Sequence, residues 1–158
     1  MNIFVTGNLG YIGPVLTSKL EKLGNRVIGF DIGYFSDCVT SKYNPPTKQI
    51  IKDLRNIQNE DLEDIDVVIH LASLSNDPLG EFMPELTNQI NYLSTIRLAE
   101  IAKKKGVKKF IFASTQSIYG ISKINNELDE DNSIKNPITA YAITKWKAEK
   151  ELMQMANN

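Results

Sequence analysis

Short apolar runs alternate with longer stretches of helical periodicity along the whole chain. Five runs that are rich in Val, Ile and Phe predict buried strands of a parallel sheet. These runs cover residues 3–5, 26–30, 48–52, 66–72 and 110–113. Strands that alternate with helices predict an α/β fold with a doubly wound parallel sheet.

Apolar residues at helical spacing predict three main helices. The first runs from Val15 to Leu23, the second covers residues 84–105 from Pro84 to just before Gly106, and the third covers residues 138–156. The intervening segments are rich in Gly, Pro, Asn and Asp. They predict loops at residues 32–47, 73–82 and 120–136, and a short polar helix or turn at residues 54–64.

The composition is that of an ordinary globular domain. The 158 residues are 42% hydrophobic and 23% charged, and they predict one domain over residues 1–158. The formal net charge of −1 provides no overall field that would attract nucleic acid or a membrane surface. A lysine cluster could form a nucleic-acid patch, but cations at the end of a helix are the simpler interpretation because the helix dipole favours them. The cluster consists of Lys103, Lys104, Lys105, Lys108 and Lys109.

Cysteine and histidine are scarce. Cys38 is the single cysteine and His70 the single histidine, so neither an internal disulfide nor a His/Cys zinc site is expected. Residues 1–5 lack a basic region and are interpreted as a first strand, and no apolar run is long enough to span a membrane. We therefore expect a cytoplasmic location. We interpret His70 as structural, because it ends a buried strand without an obvious Ser or Cys nucleophile partner.

A glycine-rich turn follows the first predicted strand. Residues 6–13 read Thr-Gly-Asn-Leu-Gly-Tyr-Ile-Gly, which gives the spacing G-x-x-G-x-x-G between a strand and a helix. In this interpretation Gly7 permits the tight turn, Gly10 lets the backbone approach a pyrophosphate, and Gly13 lets helix and strand pack closely. The N-terminus of the helix then faces the phosphates. We favour a dinucleotide-binding turn over a plain glycine turn, because strand, turn and helix all match the motif.

Asp31 follows the second predicted strand. It lies 18 residues after Gly13, near the position where an acidic residue bonds the ribose hydroxyls of an adenosine. A carboxylate there repels a 2′-phosphate, and no arginine follows closely to accept one. The sequence therefore favours NAD over NADP as the cofactor. The alternative interpretation of Asp31 is a solvated carboxylate in a turn, with no ligand.

Tyr141 and Lys145 lie four residues apart in the third predicted helix. This spacing places them on one face, one turn apart. An ammonium there can stabilise a phenolate, so the tyrosine could exchange a proton with a substrate hydroxyl. The pair alone is weak support for catalysis, but it gains weight from the glycine turn and from the hydroxyls of Ser114 and Thr115 after the fifth strand.

These motifs together resemble the extended short-chain dehydrogenase/reductase family, in its branch of NAD-dependent nucleotide-sugar epimerases and dehydratases. The resemblance spans nearly the whole chain. Its residues are Thr6, Gly7, Asn8, Leu9, Gly10, Tyr11, Ile12, Gly13, Asp31, Asp53, Leu54, His70, Leu71, Ala72, Ser73, Asn91, Tyr92, Ser114, Thr115, Tyr119, Gly120, Tyr141 and Lys145.

The resemblance implies a Rossmann-type NAD-binding fold and a role for each part of the site. Asp53 and the backbone of Leu54 hold the adenine, and the stretch Leu71, Ala72 and Ser73 lines the cofactor, as does Ser114. Tyr141 takes the proton of the sugar hydroxyl that is oxidised. Lys145 supports this tyrosine and binds the nicotinamide ribose, and Thr115 orients the substrate oxygen.

Two departures from the family pattern bear on the activity. Dehydratases of the family carry an Asp-Glu pair after the threonine, where this chain has Gln116 and Ser117. Elimination of water needs an acid and a base, so epimerase or ketoreductase chemistry is favoured over dehydration. The resemblance also implies considerably longer proteins with a C-terminal substrate domain, which we do not expect within these 158 residues.

The leading hypothesis is therefore an NAD-dependent nucleotide-sugar epimerase, or the N-terminal part of one, that is inactive alone. The alternatives are a dehydratase or ketoreductase and a non-catalytic NAD-binding module. The resemblance also implies a homodimer through the two long helices at residues 84–105 and 138–156. No metal, nucleic-acid or membrane partner is expected.

Overall fold

The structure is a computed structural model that describes residues 1–38, 45–121 and 127–157. Parts of the loops predicted at residues 32–47 and 120–136 lie outside the described residues. The described residues form two compact units. The first consists of Met1–Ser73 and Ser94–Ala113, and the second consists of Leu74–Leu93 and Ser114–Asn158.

The first unit contains a parallel sheet of five strands, which confirms the predicted fold class. The strands are β1 (Asn2–Thr6), β2 (Arg26–Asp31), β3 (Lys48–Ile51), β4 (Val67–His70) and β5 (Lys109–Phe112). Their order across the sheet is β3-β2-β1-β4-β5, and every neighbouring pair is parallel. From β1 the chain adds β2 and β3 on one side of the sheet and then β4 and β5 on the other side. Ligands of doubly wound sheets bind at such a switch point, beyond the carboxyl ends of the strands.

The helices of the first unit follow the predicted positions. Helix α1 (Gly13–Lys22) leaves the glycine turn with Pro14 in its first turn. It ends at Lys22, and Gly24, the predicted cap glycine, follows after Leu23 with a φ of +80° that glycine adopts at little cost. Two short 3₁₀ helices, Leu54–Asn56 and Asn59–Leu62, occupy the segment predicted as a short helix or turn.

Apolar side chains of the sheet form two separate core clusters in the first unit. The larger is built on Phe4, Phe30 and Val68 and includes residues of the two 3₁₀ helices and of a later helix, Ser94–Lys104. The smaller is built on Val5 and Ile69, with α1 packed against it. Burial of both faces explains why the central strands β1, β2 and β4 are largely continuous apolar runs, whereas the edge strands β3 and β5 are partly exposed.

The second unit consists mainly of helices. They are α2 (Asp77–Phe82), α3 (Pro84–Asn88), a π-helical segment (Gln89–Leu93), a 3₁₀ helix (Gln116–Tyr119) and α5 (Ala140–Ala156). We label the intervening helix Ser94–Lys104 of the first unit α4. Helix α5 packs against α2, α3, the π segment and the 3₁₀ helix. Among the described residues, no helix has both the length and the apolar character required to cross a membrane.

One prediction about this part of the chain is wrong. Residues 73–82 were predicted as a loop but contain α2, whose first turn is capped by the Asn76 side chain accepting from the Leu79 N–H at 3.2 Å. The helix predicted over residues 84–105 is present as α3, the π segment and α4, but its periodicity did not predict the π segment. Within it, the Asn91 side chain bonds the backbone N–H and C=O of Leu74 at 2.8 and 3.0 Å. Hydrophobic spacing does not reveal a side-chain anchor of this kind.

Candidate functional site

The glycine turn packs tightly on one side and is open on the other. Gly7 has φ +71°, and a Cβ atom there would lie 2.6 Å from the backbone nitrogen of Ala72. A Cβ on Gly13 would lie 2.3 Å from the carbonyl oxygen of Asn8, so this glycine permits contact between helix and turn rather than helix and strand. A Cβ on Gly10 would have only the carbonyl oxygen of Gly7, at 3.3 Å, within 4 Å. The backbone at Gly10 is therefore accessible to a ligand.

The remaining residues of the turn differ in burial. The side chain of Tyr11 is fully exposed and that of Ile12 is largely exposed, so any contact with a ligand at the turn would come mainly from their backbone. Asn8 is completely buried, and its side chain bonds that of Gln49. The sequence predicts Asn8 only as part of the turn, and no pattern in it indicates a role for Gln49.

Asp31 lies at the end of β2, where the structure brings it to the glycine turn. One carboxylate oxygen accepts from the backbone N–H of Leu9 at 3.0 Å, and the other accepts from that of Gly33 at 2.8 Å. A carboxylate oxygen has room for a second donor. The group is therefore suited to bonding ribose hydroxyls while it holds the turn.

Asp53 and Leu54 follow β3. Asp53 caps the 3₁₀ helix by accepting from the Arg55 N–H, and it pairs with the Arg55 guanidinium at 2.6 Å. This bonding to Arg55 lowers the pKa of Asp53 below its ordinary value. The side chain of Leu54 belongs to the core, so only its backbone is available to an adenine.

The end of β4 carries the stretch Leu71–Ser73 predicted to line the cofactor. The Thr6 hydroxyl accepts from the Ala72 N–H at 3.3 Å and bonds the His70 ring at 2.6 Å. The other ring nitrogen of His70 bonds the Thr95 hydroxyl at 2.8 Å, in agreement with a structural histidine. The Ser73 hydroxyl oxygen is buried and has no hydrogen-bond partner among the described residues. A buried hydroxyl normally has a partner, so Ser73 is available to a ligand.

In the second unit, the start of α5 is fixed immediately before Tyr141. The Thr139 hydroxyl accepts from the Ala142 N–H at 3.1 Å, and the Glu81 carboxylate accepts from the Ala140 N–H at 2.5 Å. Gly80 packs against this helix end, since a Cβ there would lie 3.6 Å from the Tyr141 nitrogen. Helix α2, which was not predicted, therefore positions Tyr141.

Lys145 lies one turn beyond Tyr141 and is buried, with only 2% of its surface exposed. Burial lowers the pKa of its ammonium from 10.5 to about 8, and the charge of Glu149 one turn further on opposes this shift. A buried ammonium whose pKa lies near neutral pH is suited to supporting a proton transfer.

Ser114 and Thr115 follow β5 in the chain, and their hydroxyls form hydrogen bonds with different residues. The Ser114 hydroxyl donates to Glu149 of α5. Thr115 caps the 3₁₀ helix Gln116–Tyr119, where its hydroxyl accepts from the Ser117 N–H at 3.2 Å. Because this 3₁₀ helix packs against α5, the second unit contains all three residues of the predicted proton-transfer set.

The predicted cofactor residues are divided between the two units. The first contains the glycine turn, Asp31, Asp53, Leu54 and the stretch Leu71–Ser73, and the second contains Ser114, Tyr141 and Lys145. The open side of Gly10, the remaining acceptor capacity of Asp31 and the unpartnered Ser73 hydroxyl all fit a dinucleotide.

A parallel sheet with a glycine turn after its first strand defines a dinucleotide-binding protein of the Rossmann type. The family model of the NAD-dependent epimerase/dehydratase family matches residues 3–158, and the chain belongs to this family. NAD is the cofactor of the family.

Similar proteins include both epimerases and dehydratases. A putative UDP-glucose 4-epimerase of Methanocaldococcus jannaschii is 30% identical over 151 residues, which cover 93% of this chain and 48% of that protein. A dTDP-D-glucose 4,6-dehydratase of Dictyostelium discoideum is 32% identical over 166 residues, covering 93% of this chain and 38% of that protein.

Among solved structures, MoeE5 in complex with UDP-glucose and NAD is similar with a TM-score of 0.85 and 26% identity. The match covers 100% of this chain and 50% of MoeE5. The chain therefore spans about half the length of the proteins it matches, or less.

Proposed function

We propose that this chain is the NAD-binding and proton-transfer part of an NAD-dependent nucleotide-sugar epimerase. The observation that carries the proposal is Lys145, a buried lysine whose pKa is lowered to about 8, one helical turn from Tyr141. Burial of a lysine is costly, and such groups are concentrated at functional sites. The family membership supports the same class of chemistry.

The first unit would hold the adenosine and pyrophosphate of NAD. Its glycine turn offers backbone groups on the open side of Gly10, and α1 directs its N-terminus toward that turn. Asp31 would accept from the ribose hydroxyls, and Asp53 with the backbone of Leu54 would hold the adenine. When bound, NAD supplies a reversible acceptor for a hydride, which is one proton with two electrons, from a sugar carbon.

The second unit would move the proton of the reacting hydroxyl. Thr115 would bond the sugar oxygen and orient it. Tyr141, as a phenolate, would accept the hydroxyl proton as the carbon is oxidised and would return that proton when the carbon is reduced. The Lys145 ammonium would stabilise the phenolate and bond the nicotinamide ribose, and Ser114 would line the cofactor.

Epimerisation is favoured over dehydration by the side chains that follow Thr115. Gln116 and Ser117 carry an amide and a hydroxyl, neither of which can serve as the general acid and base that elimination of water requires. The Ser117 backbone N–H donates to the Thr115 hydroxyl and so helps to hold it in place. Oxidation at one carbon followed by reduction on the other face needs only the Thr115, Tyr141 and Lys145 set.

We propose that the protein acts as a homodimer through α3, the π segment and α5. These elements of the second unit line an open groove of about 600 Å³. Its wall includes the exposed side chains of Leu93 and Ile143, which a second copy would cover. Apolar residues that remain exposed together on a helical face are typical of interaction surfaces.

The test is an assay of UDP-glucose and UDP-N-acetylglucosamine with NAD, followed by NMR. The chain is tested alone and together with the C-terminal half of a homologous epimerase. Formation of the C4 epimers in either arm would support the proposal, whereas a 4-keto-6-deoxy product would identify a dehydratase. Normal NAD binding without any product in both arms would favour a non-catalytic NAD-binding module.

A further inference from the structure

Two amide side chains join the glycine turn to strand β3 in the first unit. Asn8 Nδ2 donates to Gln49 Oε1 at 2.7 Å, and Gln49 Nε2 donates back to Asn8 Oδ1 at 3.2 Å. Gln49 Nε2 also donates to the carbonyl oxygen of Ile50 at 3.1 Å. We call these two side chains the amide pair. It links the chain immediately after Gly7 to an edge strand of the sheet.

The amide pair occupies space that β2 leaves free. Strand β2 lies between β1 and β3, and its Gly29 is in register with Val5 on one side and Gln49 on the other. A Cβ on Gly29 would lie 2.4 Å from Asn8 Nδ2 and 2.6 Å from Gln49 Oε1. The missing side chain of Gly29 is therefore what allows the amide pair to reach across β2.

The two amides depend on each other. Asn8 is completely buried and Gln49 is half-buried, so water has little access to the Asn8 end. A buried amide that loses its partner bears the full cost of desolvation, which is larger than the value of the hydrogen bond itself. Asn8 therefore keeps its position only while Gln49 is present.

The position of Asn8 matters because three parts of the molecule meet at this residue. Its backbone contacts Gly13 at the start of α1, and its side chain bonds β3. The next residue, Leu9, is held by Asp31 through its N–H. The backbone of the turn is thus fixed at two successive residues, one bonded to β3 and one to the end of β2.

We propose that Asn8 and Gln49 are positioning residues for the dinucleotide, which they serve by holding the backbone of the turn in the shape that receives the pyrophosphate. This inference rests on the proposed NAD binding. Neither residue needs to touch the cofactor. Their contribution is preorganisation, since a turn that is already ordered loses less entropy when the ligand binds.

The experiment measures dissociation constants for NAD, ADP and adenosine by calorimetry, together with thermal unfolding. The variants are Asn8→Ala, Gln49→Ala, the double variant of both, and that double variant combined with Gly29→Ala. The last restores volume, because the new Cβ would enter the space that the two amides leave. Asn25→Ala is the matched control, since Asn25 is an amide that bonds the Leu20 carbonyl at the other end of α1.

We expect Asn8→Ala and Gln49→Ala each to weaken NAD and ADP binding roughly tenfold, a typical cost of lost preorganisation. Adenosine binding, which does not involve the turn, should change less than about twofold. The double variant should resemble the single variants because the two residues act as a unit. Adding Gly29→Ala to the double variant should recover thermal stability but not the affinity for ADP.

The outcomes separate this inference from the proposed function. No NAD binding by the unmodified protein would reject the proposed function. NAD binding that is unchanged in both single variants would overturn the inference alone. Recovery of ADP affinity together with stability in the protein with Asn8→Ala, Gln49→Ala and Gly29→Ala would also overturn it, because the amide pair would then only fill space. Gln49→Ala keeps the test valid if Asn8→Ala fails to fold.

Discussion

The Asp31 carboxylate accepts a hydrogen bond from the backbone N–H of Leu9 at 3.0 Å. This bond connects the end of β2 to the middle of the glycine turn. A second bond, from the Gly33 N–H at 2.8 Å, fixes the other carboxylate oxygen. Asp31 thus orders the turn in addition to offering acceptors to a ribose, and both effects enter the first prediction.

We predict that the protein binds NAD more tightly than NADP. The variant Asp31→Ala should have a smaller difference between its affinities for the two nucleotides. The variant loses the ribose contacts and the repulsion of a 2′-phosphate together. Because the turn loses its anchor on Leu9, affinity for NAD should fall by more than tenfold, on the scale of hydrogen bonds to a charged group. Calorimetric titration of both nucleotides measures the effect.

Glu60→Ala is the control for this prediction, since Glu60 is an exposed carboxylate of the same unit. It removes the same charge without touching the turn, so the ratio of the two affinities should stay constant. Tighter binding of NADP by the unmodified protein would show that Asp31 does not select the nucleotide.

The second prediction concerns the backbone at Gly7. Both Gly7 and Gly24 have positive φ, at +71° and +80°, but only Gly7 has atoms within 4 Å of an added Cβ. Gly24→Ala should cost about 1–2 kcal/mol of unfolding free energy from backbone strain alone. Gly7→Ala should cost several kcal/mol, because its Cβ would also overlap the backbone of Ala72. Equal costs in chemical denaturation would contradict the steric argument.

Much of the first unit could be predicted from its sequence because local signals and tertiary structure agree there. The central strands β1, β2 and β4 are largely apolar runs, and the glycine turn stands between the first strand and α1 as its spacing predicts. Asp31 could be placed at the turn because it follows the neighbouring strand. The amide pair could not be predicted, because Asn8 and Gln49 are 41 residues apart and meet only across Gly29.

The second unit was harder to predict, because its important features arise from packing. Helix α2 has six residues and includes Pro78 and Gly80, both of which are typical of loops. Asn91 acts through the backbone of Leu74, which no spacing rule connects to it. The Tyr141 and Lys145 pair follows from helical periodicity, whereas the burial that lowers the Lys145 pKa depends on tertiary packing.

The third prediction is that Lys145→Met stabilises the protein at neutral pH. Burial lowers the pKa of Lys145 from 10.5 to about 8, so the folded state binds this proton less tightly than the unfolded chain. The cost, on the order of 3 kcal/mol, is fully present below pH 8 and disappears as the pH rises toward 10.5. The stability of the unmodified protein relative to the variant should therefore rise across this window.

Urea denaturation between pH 7 and 10.5 measures this difference. Lys104→Met serves as the control, because Lys104 is an exposed lysine in the last turn of α4 and does not line the groove. The control should change the unfolding free energy little at any pH in the range. A variant that is less stable at pH 7 than the unmodified protein would indicate that interactions of the ammonium outweigh its burial.

The fourth prediction concerns the proton-transfer set in the epimerase assay. Tyr141→Phe keeps the ring and removes the proton carrier, so turnover should fall about 10²–10⁴-fold. Thr115→Ala should cost less, because this hydroxyl orients the substrate and does not transfer the proton. Tyr119→Phe is the control, as Tyr119 carries a phenol in the same unit but lies outside the proposed set. Nearly normal turnover of Tyr141→Phe would show that Tyr141 does not transfer the proton and only packs as an aromatic side chain.

The last prediction is that the protein forms a dimer through the groove of α3, the π segment and α5. Leu93 and Ile143 line this groove and are 52% and 36% exposed. A carboxylate at either position would lose its hydration in a dimer, so Leu93→Glu and Ile143→Glu should each raise the dissociation constant of the dimer at least about 100-fold. Ile134→Glu is the control, since Ile134 is 85% exposed in the same unit and does not line the groove. Light scattering over a range of concentrations should give a dimer for the control and a monomer for the two groove variants, while a monomer of the unmodified protein at every concentration would reject the dimer.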